Sequence, residues 1–291
     1  MLVNEAGKIA NLTKKAIEYY TEQGLVAPAV LENGYRDYNE EAVERLQKIY
    51  VLRKLELSTE EIKDVLDDKT GGVLQKLSVQ KELKVQREKM KHTILDKLSC
   101  GKSYSELSME LKSLEQNAGI TEKLLEAFPG YYGRFISLHF ARFLNEPIRT
   151  KEQQSAYLEI IAFLDNAPSL EFPEDLKQYF DENTKHIGTE AIASMIESTK
   201  QSMENPHKFL ADNKEILNEY LIYMQSDEYK NSPACKIKAL LKTFNNTSGY
   251  YDKFIPAMKK LSSSYAEYMK QMEAANELLL SGYPELAKLI I

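Results

Sequence analysis

The stretch LTKKAIEYYTEQGLV, residues 12–26, sets two lysines where a helix can carry them to a phosphate. Thr13 is a capping residue, Lys14 and Lys15 follow it, and Tyr19 and Tyr20 come about one turn later. Basic and phenolic groups at a helix entrance suit a nucleic-acid backbone, which accepts hydrogen bonds from both. The same run carries Glu18 and Glu22, in a chain of formal net charge −6, so a plain amphipathic helix competes with that reading. A second group of the same chemistry is NGYRDY, residues 33–38, with Tyr35, Arg36 and Tyr38. A third is aromatic: GYYGRF at 130–135 and GYYDKF at 249–254 share Gly-Tyr-Tyr, a variable residue, a cation and Phe.

Other chemistry finds few residues to use. There is no Gly-rich phosphate loop and no nucleophile elbow, so an enzyme is not expected. Cys100 and Cys235 stand far apart, and His92, His139, His186 and His207 have no ligand spacing. We therefore expect no metal and no other cofactor. Without a signal-like start or 18 consecutive apolar residues, the chain is expected in the cytoplasm, away from membranes.

The elements that must position these groups read as helices, with one break. Residues 3–10 form a short helix, Asn11-Leu12 a turn, and Thr13 to Gln23 a second helix that Gly24 ends. Ile17 and Tyr20 fall on its inner face; Lys14, Lys15, Glu18 and Glu22 point outward. VAPAVLENGYRDYN then carries Pro28 and the hairpin signal Asn33-Gly34. A third helix follows Asn39 and ends near Leu55, and the capping box Ser58–Glu61 opens a fourth through Leu66.

From Gly72 to Cys100 a longer helix repeats Val73, Leu77, Leu83, Met90, Ile94 and Leu98 close to heptad spacing. Packing on its own domain and an antiparallel coiled coil between two subunits both fit, and the second assigns Leu77, Leu83, Met90, Ile94 and Leu98 to a homodimer interface. Cys100-Gly101 breaks the helix, and a short one, Ser103 to Gln116, follows. Beyond about residue 118 the composition changes, with all 10 phenylalanines and 12 of the 18 tyrosines. Pro129, Pro147, Pro168, Pro173, Pro206, Pro233, Pro256 and Pro284 mark off helices there. The expected chain is mostly α: a winged helix-turn-helix with a small β-hairpin wing over 1–70, a dimerisation helix over 71–100, and an all-α effector domain over 101–291.

Helix, turn, helix, hairpin and two further helices within 70 residues is a winged helix-turn-helix layout, in which the second helix enters the major groove. Residues 3–66 resemble the DNA-binding domain of the MerR family of transcriptional regulators. The residues that carry the likeness are KIANLTKKAIEYYTEQGLV, NGYRDYNEEAVERLQKI and LRKLELSTEEIKDVL. The resemblance implies that Lys14 and Lys15 face the groove, Tyr19 reaches a phosphate, and Arg36 makes the strongest backbone contact between Tyr35 and Tyr38. Arg53 and Lys54 lie near a second wing. It also implies a promoter with an overlong spacer between RNA polymerase elements, kinked and untwisted when the effector domain is occupied. Glu18 departs from the arginine common at that position in the family.

Residues 1–70 hold 10 Lys/Arg against 14 Asp/Glu, a net −4, so few phosphate contacts come from each subunit. Two subunits on a palindromic site make up for this, and a homodimer on double-stranded promoter DNA is expected.

The segment FPGYYGRFISLHFARFLNEP resembles a helical effector region of antibiotic- and multidrug-sensing MerR-type regulators. Stacked aromatic rings suit a flat hydrophobic molecule, often a cation. Expected walls are Tyr131, Tyr132, Phe135, His139, Phe140, Tyr250, Tyr251 and Phe254, with further pairs Tyr220/Tyr223 and Tyr265/Tyr268. Glu126, Glu146 or Asp252 would pair a cationic ligand. The alternative is a C-terminal domain that docks another protein and binds no small ligand.

Overall fold

The computed structural model describes residues 1–128 and 130–286, so Pro129 lies outside the described residues. Among them are sixteen α-helices, one π-helical turn and one two-stranded hairpin, which is the mostly-α architecture expected. The chain divides into two compact units, Met1–Leu74 and Gln75–Ile291.

In the first unit, α1 (Val3–Ala10) leads through Asn11, in the left-handed conformation, to α2 (Lys14–Glu22). Thr13 caps α2, its Oγ1 accepting from the Ala16 amide at 3.2 Å. Strands β1 (Ala29–Val30) and β2 (Arg36–Asp37) pair antiparallel, Val30 opposite Arg36. Residues 31–35 connect them: the Leu31 amide donates to Tyr35 O at 2.8 Å, leaving a three-residue tip, in which the Gly34 amide donates to Leu31 O at 2.9 Å and Gly34 sits at φ +80. Asn33-Gly34 therefore does not form a two-residue turn; Gly34 takes the left-handed closing position that a three-residue hairpin loop requires. Helices α3 (Glu40–Lys54) and α4 (Thr59–Asp67) close the unit over Ile17, Leu25, Leu46, Ile49 and Ile62, all without exposed surface. The Ser58–Glu61 capping box forms in both directions, at 2.6 and 3.2 Å.

In the second unit, α5 (Gly72–Ser99) buries Leu77, Val79 and Leu83. Helix α6 (Tyr104–Ala127) runs well past Gln116, where sequence alone placed its end. Leu107, Leu114, Ile120 and Leu124 anchor it across Gly119, whose cost in a helix of about 1 kcal/mol is offset by burial. Then come α7 (Gly130–Ala141), α8 (Lys151–Asp165), α9 (Glu174–Thr184) and α10 (Thr189–Glu204). Helices α11 (Pro206–Asp212), α12 (Lys214–Gln225), α13 (Asp227–Asn231) and α14 (Pro233–Thr247) follow. A π-helical turn, Tyr250–Phe254, precedes α15 (Ile255–Leu261) and α16 (Ser263–Gly282). Pro173, Pro206 and Pro233 stand at helix starts, where a missing amide N–H costs nothing. The main core joins α6, α7, α8, the π turn, α15 and α16 around Phe128, Phe140, Phe163, Phe254 and Met258.

Candidate DNA-contacting surface and aromatic cleft

On α2, Lys14 and Lys15 are exposed at the first turn while Ile17 and Tyr20 hold the helix to the core. Lys14 Nζ lies 3.7 Å from the Glu18 carboxylate, an exposed i, i+4 pair worth a few tenths of a kcal/mol, so a phosphate can displace it cheaply. Tyr19 is 45% exposed, and its hydroxyl lies 3.3 Å from Thr59 Oγ1. On the wing, Arg36 is exposed on β2 and Tyr35 is 64% exposed beside it.

Tyr38 is different. It is fully buried, its hydroxyl 3.3 Å from Thr21 Oγ1, so it ties the wing to α2 and offers no ring to a phosphate. Its backbone leaves the strand and is held by the N-terminus: the Tyr38 amide donates to Met1 O at 2.9 Å, and its carbonyl accepts from the Met1 ammonium at 3.0 Å. Arg53 and Lys54 are exposed on the last turn of α3; Arg53 Nη1 donates to Leu57 O at 2.8 Å, and Lys54 Nζ stands 5.6 Å from the Tyr50 ring centre.

The five residues assigned to a dimer seam differ in burial. Leu77 and Leu83 are buried in their own chain, and Leu83 joins a cluster with Val79, Leu125, Leu138, Ala141, Ile192 and Ile196. Those two are therefore core residues of the second unit. Met90, Ile94 and Leu98 are half-buried; Met90 and Ile94 line a groove of about 360 Å³ against Glu110, Ser113 and Leu114 of α6. Lys97–Glu110 and Arg87–Glu122 ion pairs, each at 2.7 Å, bridge α5 to α6. Val85 and Leu95 are the exposed apolar residues of that half of α5.

The aromatic candidates converge. Tyr132, Phe135, His139 and Phe140 from α7, with Tyr250 and Tyr251 from the π turn, line one cleft of about 330 Å³. Tyr265, Tyr268, Met269 and Met272 of α16, Ile196 and Thr199 of α10, and Asn245 of α14 complete it. Both Gly-Tyr-Tyr echoes thus open a helical segment on the same cleft, each behind a left-handed glycine, Gly130 or Gly249. The π turn accommodates Pro256: wider i→i+5 bonding, Phe254 N to Gly249 O at 3.2 Å, relieves the clash of its ring with the preceding turn.

Two candidates face elsewhere. Tyr131 meets Phe180 edge-on and donates to Met195 Sδ at 3.6 Å, while Phe254 is fully buried in the core. Neither lines the cleft. Asn245, Thr199 and the two methionines of α16 carried no sequence signal of their own.

The electrostatics of the cleft are simple. Tyr132 donates to Asn245 Oδ1 at 3.2 Å, leaving the Asn245 amide hydrogens available. His139 stacks on Phe135 and meets Phe140, Phe143 and Tyr268 edge-on. Burial, helped by the Arg142 charge, lowers its pKa to about 4, so it is neutral at pH 7. No carboxylate lines the cleft. Glu126 and Asp252 are exposed, and Glu146 is engaged elsewhere, capping α16 through Ser262 Oγ, the Ser263 Oγ and the Ser264 amide. Burial alone would raise its pKa, but the bonds from Ser263, Ser264 and Ser262 outweigh this and hold the carboxyl at about 2.

The His139 shift has a consequence for acid stability. Above pH 6.5 the imidazole is neutral folded or unfolded. As pH falls from 6.5 toward 4, the unfolded chain binds a proton that the native state excludes, so stability is lost in that window. At about 1.4 kcal/mol per pKa unit, roughly 2–3 kcal/mol should be gone by pH 4. Urea unfolding of the second unit at pH 7, 5.5 and 4 should show it, and His139→Phe should flatten the profile. An equally steep profile in the variant would remove His139 as the cause.

Comparison with known proteins agrees with the first unit's geometry. The family described as MerR HTH family regulatory protein matches residues 1–69. The HTH-type transcriptional regulator CueR of Bacillus subtilis is 37% identical over 67 residues, 23% of this chain and 47% of that protein. The ZntR homolog of Haemophilus influenzae is 38% identical over 68 residues, 23% of this chain and 50% of that protein. Heavy metal-dependent transcription regulator 2 of Rhizobium meliloti is 37% identical over 67 residues, 23% and 46%. The chain spans about half the length of the curated relatives it matches. No solved structure matches it significantly. The N-terminal unit is a MerR-type helix-turn-helix domain, and the likeness ends before the aromatic unit begins. Among the described residues, no group of three or more His, Cys, Asp or Glu could hold a metal ion, and no helix is long and apolar enough to cross a membrane.

Proposed function

We propose that this protein is a homodimeric DNA-binding transcription regulator of the MerR type whose C-terminal helical unit binds a small organic molecule. Lys14, Lys15, Tyr19, Tyr35 and Arg36 contact promoter DNA, with Arg53 and Lys54 on its flank, and RNA polymerase reads the resulting distortion. The dimer forms along the C-terminal half of α5, through Met90, Ile94 and Leu98, spaced i, i+4 and i+8 on one face. Leu77 and Leu83 do not take part.

The observation that carries the ligand-responsive reading is the cleft and its connection to α5. Ile196 lines the cleft and also belongs to the buried cluster that contains Val79 and Leu83 of α5. A molecule that fills the cleft therefore presses on the same packed side chains that seat the dimerisation helix. Distorting a promoter costs a few kcal/mol, within reach of such a contact.

The test is a gel shift of the protein on its own upstream DNA at low salt, with and without compounds that raise its melting temperature. A saturable shift whose promoter output changes with such a compound is expected; no shift at low salt would sink the reading. A second reading, docking of another protein, is favoured by α12, where Ile216, Tyr220, Ile222 and Tyr223 are all exposed. Unchanged melting across a broad set of aromatic compounds would favour it.

A further inference from the structure

We infer that the cleft selects an uncharged, flat aromatic molecule bearing a carbonyl or similar acceptor, and discriminates against organic cations; this rests on the cleft being the ligand site. Aromatic rings attract cations through their faces, and an aromatic lining alone would favour a lipophilic cation. What decides the matter is charge. A desolvated cation needs a carboxylate close by, since burying an unpaired charge is far more costly than burying a hydrogen-bonded neutral group. The cleft has none: its ionisable lining groups are His139 and tyrosines.

A fixed positive charge beside the lining disfavours a cationic ligand. Arg142 lies 4.9 Å from the Phe143 ring centre and 5.6 Å from that of Tyr268, a lining residue, so it already occupies a ring face there. Of the nearby acids, Glu126 and Asp252 are exposed outside the lining, Glu146 is saturated by serine donors, and Glu197 outside the lining pairs with Lys200 at 3.6 Å and lies near the Arg142 charge.

The cleft does offer uncharged polar groups. The Asn245 amide accepts through Oδ1 from Tyr132, which orients its NH₂ and leaves it a donor. The Tyr250 and Tyr265 rings are buried and both residues line the cleft, where their hydroxyls can meet a ligand. A ligand carbonyl or hydroxyl placed among these donors exchanges its hydrogen bonds to water for hydrogen bonds to them. A volume of about 330 Å³ holds three fused rings.

One ring system carried at three charges tests the assignment. Acridone is neutral with a carbonyl, 10-methylacridinium is a cation, and acridine-9-carboxylate is an anion. Titration of the full chain with each at pH 7.5, by calorimetry, should give acridone at least a tenfold lower Kd than either charged form. Asn245→Leu should weaken acridone about fivefold and leave 10-methylacridinium unchanged. Equal or tighter binding of the cation or the anion overturns the neutral-ligand inference while leaving the cleft as a ligand site. Thr199→Trp, at the exposed rim, fills the cleft without disturbing the core, and its new indole is the chain's only tryptophan. Binding of acridone undiminished by that variant, or binding of none of the three, overturns both the inference and the reading beneath it.

Discussion

Arg36→Ala is expected to lower affinity for promoter DNA by about a hundredfold. The arginine is exposed on the two-residue strand β2, in a wing whose apolar residues Ala29, Val30 and Leu31 are also exposed. Its side chain has no structural task that truncation would damage. One arginine–phosphate contact contributes on the order of 1–1.5 kcal/mol, and a homodimer loses two, about 2–3 kcal/mol in all. The domain has a net −4 charge from 10 Lys/Arg and 14 Asp/Glu, so its few outward cations each matter more. The same substitution should reduce the slope of log K against log salt by about 2, one for each lost contact. Fluorescence anisotropy at four or five salt concentrations measures both quantities. Unchanged affinity and slope would mean that the wing does not touch DNA. Tyr38→Ala, by contrast, should act through stability, because that ring is buried beneath Thr21.

Tyr35 and Tyr38 illustrate what a sequence makes legible. Both stand in NGYRDY and both suit a phosphate, yet one is exposed and the other closed into the core. Composition identifies the motif; the turn of the backbone after β2 decides which ring faces outward. The same limit explains Leu77 and Leu83. Periodicity shows that α5 has an apolar face, but what covers it, Leu125 of α6, Leu138 and Ala141 of α7 and Ile192 and Ile196 of α10, comes from three later helices. Adjacent residues on a helix point about 100° apart, so Tyr131 and Tyr132 part company, one toward Phe180 and the other into the cleft. Caps and breakers are local, and Thr13, Asn39 and Ser58 begin their helices where the chain chemistry places them. Asn245 gives the opposite case: one polar residue on α14 among many, and only the arrival of Tyr132 makes it a site residue.

Phe254 shows that aromatic spacing alone does not separate a ligand wall from the core, and it carries the largest expected effect on stability. It is fully buried, with ring centres 5.0 Å from Phe140, 5.4 Å from Phe163 and 5.3 Å from Tyr250. Phe254→Ala removes the ring from the middle of that cluster and leaves a cavity, at a cost of about 3–5 kcal/mol. Phe254→Leu keeps most of the volume and should cost less than half as much. Tyr251 is the contrasting partner: half-exposed at the rim of the cleft, it should lose under about 1 kcal/mol on truncation to alanine while weakening any ligand held there. Urea unfolding of the second unit, followed separately from the first because the two need not melt together, gives the stabilities. Calorimetry with a cleft ligand at low temperature, where Phe254→Leu remains folded, gives the affinities. The expected pattern is a stability defect for Phe254 and a binding defect for Tyr251. If Phe254→Ala cost less than about 1 kcal/mol and still abolished binding, the ring would be a wall of the site and the buried cluster would not be what holds the second unit together.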